Sequence, residues 1–291
     1  MIEVLKPGLL TTIQDLGRAG HAHLGVPRSG ALDIASLVLA NRLVGNPDGA
    51  AGLETTLTGV SFRAELPTAA AVTGAPARVT VNGQPVEFGN PFQVAAGAVV
   101  QVGAAIAGVR SYVAFAGGVT VAPVLGSRST DTLSGLGPPP LRAGFVFPLA
   151  RTIPDPLPTS LVEQARRGTG PPDGRSERIR LQVRMGPRHD WFSQAARDAF
   201  LAGPYTLSVK SNRVGARLTG AALHRSVRGE LPSEGIVLGA VQVPADGQPL
   251  VFLADHPTTG GYPVIGVVDA NDLPLLAQAR PDTTVIFDPW T

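Results

Sequence analysis

Five short stretches of this chain gather side chains that could bind a polar ligand or move a proton. The first is Thr11-Thr12-Ile13-Gln14-Asp15-Leu16-Gly17-Arg18. A carboxamide and a carboxylate can read an amide, and a guanidinium suits a carboxylate or phosphate, so Gln14, Asp15 and Arg18 form an amide- and anion-reading set beside a glycine turn. Taken alone, the same stretch reads first as a turn held by an Asp15–Arg18 ion pair. The second is Gly126-Ser127-Arg128-Ser129-Thr130-Asp131, where hydroxyls flank an arginine and glycine lets the backbone approach an anion. A solvated turn is the alternative there. The third, Ser211-Asn212-Arg213-Val214-Gly215-Ala216-Arg217, puts Arg213 and Arg217 on one side if it is extended, one for a ligand and the other for tying down a loop. In the fourth, Gln242 lies inside a β-run ahead of an Asp246-Gly247 turn and could point into a cleft. The fifth, Asp255-His256-Pro257-Thr258-Thr259-Gly260-Gly261-Tyr262, follows an apolar strand and opens into a glycine-rich loop. Asp255 or His256 could move a proton, and Thr258, Thr259 and the glycine amides could hold an anion. A tight turn with Asp255 capping backbone amides is the structural alternative.

Other chemistry is absent. Neither lysine follows a glycine, so there is no Walker A loop, and no Gly-x-Ser-x-Gly or His-Glu-x-x-His occurs. There is no cysteine, which removes thiolate zinc sites, disulfides and a thiol nucleophile. His21 and His23 would share a strand face but lack a third ligand, so no metal site is assigned. No lysine stands in a Met-Lys-Met context, so this chain does not itself carry biotin.

The elements that must position these groups follow from composition and period. Glycine (35) and proline (27) account for 62 of 291 residues, 44% are hydrophobic and 16% charged. That balance excludes a disordered chain and disfavours a helical bundle, because Gly and Pro break helix interiors. The expected fold is mainly β with a few short helices, arranged as two β-barrel-like units. Residues 2–25 read as two short strands about a turn, and 31–44 as a helix capped by Ser29 with Asp33 in its first turn. Consecutive strands follow over 53–120, with Asn82-Gly83 as a hairpin turn. Strands resume at 179–185, 205–210, 236–243, 249–254 and 264–268, with helices over 189–201 and 272–279. The expected division is an N-terminal β-rich unit over 1–151, a Pro/Gly-rich connection over 152–177 and a C-terminal β-rich unit over 178–291. No signal peptide or membrane helix is read, so a soluble cytoplasmic protein is expected.

The net charge is only +2, yet residues 151–230 carry net +7 and 231–291 net −6. The basic stretch is not interleaved with stacking aromatics, so the expected partner is the acidic tail or an acidic companion protein rather than nucleic acid.

Taken in order, the motifs resemble one family, the urea-amidolyase-related carboxyltransferases, whose members include allophanate hydrolase subunit 2, the antagonist of a kinase inhibitor, and the C-type subunit of bacterial 5-oxoprolinase. The resemblance runs through Thr11–Arg18, Gly25-Val26-Pro27-Arg28-Ser29-Gly30-Ala31-Leu32-Asp33, Ala40–Asn46, Leu53-Glu54, Gly126–Thr130, Gly239–Pro244 and Thr258–Pro263. It departs at Asp255-His256-Pro257, where members often carry Asp-Arg-Gln. The resemblance implies cyclophilin-like β-barrel units and a hetero-oligomer with a B-type partner similar to allophanate hydrolase subunit 1. It further implies a third hydrolase subunit and a complex that opens 5-oxoproline to glutamate with ATP. Two other readings stay open: a biotin-dependent carboxyltransferase acting on urea or a similar amide, its biotin carried by another protein, and a non-catalytic regulator that binds a kinase-inhibitor-like partner. In the first reading Asp15, Asp255 and His256 carry the catalysis. Gln14, Arg18, Ser127, Arg128, Ser129, Asn212, Arg213, Gln242, Thr258 and Thr259 bind substrate.

Overall fold

The computed structural model describes residues 1–150, 178–227, 229 and 231–290; the connection expected at 152–177 lies outside the described residues. The described chain falls into two compact units. One comprises Met1–Arg18, Ser29–Asp131 and 135–150, the other Ala19–Arg28, Thr132–Ser134 and 178–290. Both are mostly β, with three α-helices among the described residues, and none of these helices is long and apolar enough to cross a membrane.

In the first unit, strands β1 (Ile2–Lys6), β2 (Leu10–Gln14), β3 (Gly52–Thr56), β4 (Ser61–Ala64), β5 (Thr68–Gly74), β6 (Ala77–Val81), β7 (Gln84–Val86), β8 (Pro91–Val94), β9 (Val99–Ala105), β10 (Arg110–Phe115) and β11 (Val146–Phe147) build two sheets. Their orders are β11-β1-β4-β9-β6-β7 and β2-β3-β10-β5-β8. Alternation along β10 decides what each face meets. Val113 and Phe115 join the core between the sheets with Ile13, Leu53, Val72, Phe62 and Val100, whereas Tyr112 and Ala114 pack under helix α1 (Ile34–Leu43). Phe62 and Phe115 meet edge to face at 5.0 Å across the two sheets. With both faces covered, β10 is buried along its whole length, which is why its sequence reads as a continuous run rather than an alternating one. Asn82 and Gly83, at φ 48° and 80°, form the two-residue turn between β6 and β7 that an Asn-Gly pair favours.

Helix α1 starts later than its sequence suggests. Its cap is Asp33, not Ser29: the Asp33 carboxylate accepts from Ser36 N at 3.1 Å and Ser36 Oγ at 2.6 Å, while Ser29 Oγ donates to the distant Thr130 carbonyl at 3.0 Å. Between them Gly30, at φ 95°, crosses so close to the Leu16–Gly17 peptide that a Cβ would sit 2.9 Å from Gly17 N. That crossing binds the entry to α1 onto the Asp15–Arg18 turn, and the Ala31 N–H donates to the Asp15 carbonyl at 3.0 Å.

The second unit contains β12 (Arg178–Met185), β13 (Tyr205–Leu207), β14 (Gly215–Thr219), β15 (Glu234–Gly235), β16 (Ala240–Gln242), β17 (Leu250–Phe252), β18 (Thr259–Gly260), β19 (Val264–Val268) and β20 (Thr284–Pro289). Seven of them close a barrel in the order β12-β19-β16-β17-β14-β13-β20, and β12 and β20 complete it as a parallel pair. Ile179, Leu181 and Val183 of β12 are buried, and Arg178 and Arg180 alternate with them on the exposed face. The helix expected over 189–201 is a 3-10 turn, His189–Trp191, followed by helix α2 (Gln194–Ala202). Ser193 breaks the two by capping α2, its Oγ accepting from Ala196 N at 3.1 Å. Phe200 of α2 stacks on Phe287 at 4.6 Å, and a short helix α3 (Leu273–Gln278) precedes β20. His21 and His23 do not share a strand face; they lie about a 3-10 turn, Ala22–Leu24.

The opposed charges of the middle and the tail meet inside this unit. Arg180 pairs with Asp288, Arg188 with Glu234 and Arg213 with Asp255.

Candidate functional site

Two buried polar clusters emerge, one in each unit. The first begins on β2, whose last four residues, Thr11 to Gln14, are all buried. Beyond Gln14 the chain turns at Asp15, with Gly17 at φ 83° allowing the reversal. A second segment meets this turn from far along the chain. Val124 and Ser127 exchange backbone hydrogen bonds about Leu125 and Gly126, both at positive φ (51° and 79°), which makes a tight hairpin of the primed type. The hairpin delivers three donors to one carboxylate. Ser127 Oγ and Ser129 Oγ each donate to Asp15 Oδ1 at 2.6 Å, and Arg128 N donates to Oδ2 at 2.6 Å. Gly17 N adds a fourth at 2.8 Å. In return the Asp15 N–H donates to Ser129 Oγ at 3.0 Å, and Ser129 N to Ser127 Oγ at 3.0 Å.

The Asp15–Arg18 ion pair expected for an isolated turn is therefore replaced. Asp15 is saturated by hydroxyls and amides, and Arg18 turns to carbonyls instead: Nη2 donates to Ser129 O and Nε to Val124 O at 3.4 Å. Gln14 Nε2 donates to Thr12 Oγ1 and to Thr130 O, both at 3.0 Å. The cluster thus joins Gln14, Asp15, Arg18, Ser127 and Ser129, all buried, and brings in Thr130 as well. Arg128 contributes its backbone, while its Nε donates to Val121 O at 2.9 Å.

The second cluster centres on Asp255, which is 0% exposed at the end of the apolar run through β17. Arg213, 2% exposed, donates from Nε and Nη2 to its two oxygens at 2.9 Å each, the fork geometry that arginine offers carboxylates. Thr132 donates to Asp255 Oδ2 from its N–H at 2.9 Å and from Oγ1 at 2.7 Å. Burial pushes the Asp255 carboxyl up, but the Arg213 charge and the hydrogen bonds from Arg213 and Thr132 more than reverse this, so its pKa lies below the ordinary aspartate value. Asp255 is a held anion at neutral pH.

Other expected residues fall around it or apart from it. His256 is buried with Nδ1 2.7 Å from the Pro257 carbonyl, which can only accept, so Nδ1 carries a proton. Gln242 is buried on β16, its Nε2 donating to Tyr262 O at 2.9 Å. Thr258 and Thr259 serve the β15–β18 pairing through their backbones, and Thr259 is exposed. Asn212 Oδ1 accepts from Val214 N and Gly215 N, an Asx turn that breaks the extended run. For that reason Arg213 and Arg217 do not share an environment: Arg213 is buried and Arg217 is exposed on β14.

A third arrangement was not apparent from the motifs. Glu54 on β3, 1% exposed, accepts from Leu32 N at 2.9 Å and Tyr112 Oη at 2.8 Å, with Arg110 Nε 3.6 Å from its other oxygen. Tyr112 Oη in turn accepts from Asp33 N at 2.8 Å. Burial, then the Glu54 and Asp33 charges, push the Tyr112 hydroxyl well above its usual range. The available signal was a lone acid within an apolar strand and Arg110 as the single charge of residues 88–127. Thr130 and Thr132 were visible only as the tail of a hydroxyl-rich loop. Among the described residues no group of three or more His, Asp or Glu side chains is placed to hold a metal ion.

Comparison with known proteins agrees with this architecture. Residues 24–289 match the model of a family described as carboxyltransferase domain, subdomain A and B. The C-type subunit of the 5-oxoprolinase of Escherichia coli is 37% identical over 281 residues, covering 96% of this chain and 87% of that protein. Among solved structures, TTHA0988 is 38% identical with a TM-score of 0.82 over 98% of this chain. The urea amidolyase of Kluyveromyces lactis is 29% identical with a TM-score of 0.89 over 100% of it. The chain spans about half of the first of these structures (55%) and about a fifth of the second (19%).

Proposed function

This chain belongs to the family of carboxyltransferase domains built from subdomains A and B, and from that premise we propose that it is a subunit of an ATP-dependent amidohydrolase complex that opens 5-oxoproline to glutamate. The observation that carries this reading is the 37% identity to a 5-oxoprolinase subunit along 96% of the chain. The polar clusters support it, because a cyclic amide that bears a carboxylate needs donors and acceptors together with a cation.

In this reading Arg18 and Gln14 of the first unit receive the acidic group and a hydrogen-bearing atom of the substrate. Asp15 is a positioning residue: its four donors leave it no proton to take, but they fix the Ser127–Ser129 hairpin against Arg18. Asp255 likewise acts through Arg213 and Thr132, and the proton-handling group of the second unit is His256. Gln242, Thr258 and Thr259 are the second unit's own candidate binding groups. ATP supplies the activation of the amide in the complex. The N-termini of both longer helices are already closed, α1 by Asp33 and α2 by Ser193, so neither helix end offers its amides to a phosphate. A B-type partner similar to allophanate hydrolase subunit 1 and a third hydrolase subunit are the companions this reading requires.

The test is 5-oxoproline- and ATP-dependent release of glutamate by the chain purified with both partner proteins; no turnover with all three present would refute it. The TM-score of 0.89 to a urea amidolyase supports a second reading, a carboxyltransferase unit that passes a carboxyl group from biotin on another protein to urea or a similar amide. It requires acceptor-dependent decarboxylation of carboxybiotin by the same chain, and inability to do this removes it.

A further inference from the structure

We propose that the first unit holds a small oxyanion that retains one hydrogen on oxygen or nitrogen, seated between Arg18, Thr130 and Gln14. Arg18 is only 2% exposed, and its two occupied nitrogens reach neutral carbonyls. No carboxylate among the described residues pairs with it. The Asp15 carboxylate of the same cluster spends its bonds on Gly17, Ser127, Arg128 and Ser129, and a buried guanidinium without a direct ion pair attracts a further anion. The remaining nitrogen, Nη1, is buried without a partner.

Two further orphaned atoms belong to side chains tied to the same stretch, since Gln14 Nε2 donates to Thr130 O and Arg18 Nη2 to the adjacent Ser129 O. Gln14 Oε1 and Thr130 Oγ1 are both buried without a hydrogen-bond partner. The orientation of the Gln14 amide is fixed, because the Thr130 carbonyl can only accept and therefore faces Nε2. Oε1 is thus an acceptor, Nη1 a charged donor and the hydroxyl a donor to a second oxygen. Their joint complement is an anionic oxygen, a second oxygen beside it and one X–H. Bicarbonate, a carbamate and monohydrogen phosphate have that pattern. Sulfate offers no hydrogen to Gln14, and a neutral amide leaves the Arg18 charge unmatched.

Gly137 at φ 82° packs directly on the Ser129 peptide and the occupied side of the guanidinium, where a Cβ would lie 2.1 Å from Ser129 O and 3.1 Å from Arg18 Nη2, so Nη2 stays with the protein and Nη1 is the nitrogen left for a ligand. The inference rests on the hydrolase reading only in giving Arg18 the acidic group of a ligand. Its test is binding to this chain alone, so the two can fail separately.

The experiment is calorimetric and thermal-shift titration of the full chain with bicarbonate, phosphate and sulfate at constant ionic strength. Saturable binding of bicarbonate or phosphate, but not sulfate, is expected; preference for bicarbonate identifies a carboxyl-group source, and preference for phosphate a nucleotide source. Thr130→Val keeps the side-chain shape and removes an oxygen with no protein partner, so its unliganded Tm should not fall, while anion binding weakens about tenfold. Gln14→Glu, checked for folding by circular dichroism, should weaken binding further by adding a negative charge. No saturable binding by the wild-type chain, equal binding of sulfate, or Thr130→Val binding like wild type would overturn the proposal. A complex without turnover in which this chain still binds the anion would count against the hydrolase reading alone.

Discussion

Replacing Asp255 by asparagine should unfold the second unit far more readily than any surface charge change, and the structure says by how much. Asp255 is fully buried and accepts two hydrogen bonds from Thr132 and two from Arg213, itself only 2% exposed. The amide keeps the shape but removes the charge that Arg213 meets through two hydrogen bonds, and breaking a buried pair from one side costs about 3–5 kcal/mol. For a body of this size that lowers Tm by on the order of 10 °C. Arg213→Met should cost less at neutral pH, because an abandoned carboxyl can take up a proton while a guanidinium cannot lose one. In the double variant neither charge remains, so the penalty should fall short of the sum by roughly 2–3 kcal/mol.

The pH dependence has a definite sign. Because the folded pKa of Asp255 lies below its unfolded value of about 3.9, the unfolded chain binds more protons in acid and stability rises with pH there. The contribution of Asp255 is complete above the unfolded value and is lost as pH falls through the lower folded one. Asp255→Asn should therefore flatten the acid limb of the stability profile. Both tryptophans, Trp191 and Trp290, belong to the second unit, so tryptophan fluorescence during urea unfolding follows this unit alone. Additivity of the two single variants within about 0.5 kcal/mol, or an acid limb unchanged in Asp255→Asn, would refute the reasoning.

Asp15→Asn replaces an acceptor of four hydrogen bonds with a group that brings donors against donors, and should cost roughly 2–4 kcal/mol. Hydrogen exchange should show the loss first at Ser127, Arg128 and Ser129, whose donors converge on that carboxylate. Tyr112→Phe removes the acceptor of the Asp33 N–H and one of the donors to Glu54 Oε2 in a dry site, so urea unfolding should report a loss of about 1–3 kcal/mol. Leu125→Asn should raise stability by about 0.5–1 kcal/mol, because the left-handed conformation penalises leucine and the exposed side chain gives little in return. A thermal melt no higher than wild type would show that the Leu125 side chain has a compensating contact.

Local physics made much of the scaffold readable. Asn82-Gly83 needs two positive φ angles and obtains them, and the apolar run Ile34–Leu43 forms a helix because its buried side chains lie against β5 and β10. What stayed hidden is where each polar side chain spends its hydrogen bonds. Ser29 looks like a helix cap by position, but its hydroxyl serves Thr130, 101 residues away, while Asp33 does the capping. Glu54 and Tyr112 are 58 residues apart and meet through the register that pairs β10 with β3.

The same physics explains why the Asp15–Arg18 pair failed and why its failure matters. An exposed aspartate three residues before an arginine finds it because nothing else competes except water. Here β2 carries Asp15 into the interior, and water is replaced by the hydroxyls and amides of Ser127, Arg128 and Ser129, which reach the carboxylate with shorter, charge-assisted bonds. Once Asp15 is satisfied in this way, it makes no direct ion pair with Arg18. The guanidinium is left among carbonyls, whose dipoles hold two of its nitrogens but not its charge. A fold that buries a fixed cation and gives the nearest carboxylate other partners leaves that cation without a direct ion pair. The orphaned Nη1, with Gln14 Oε1 and Thr130 Oγ1 beside the same backbone, marks where the compensation enters from outside the chain.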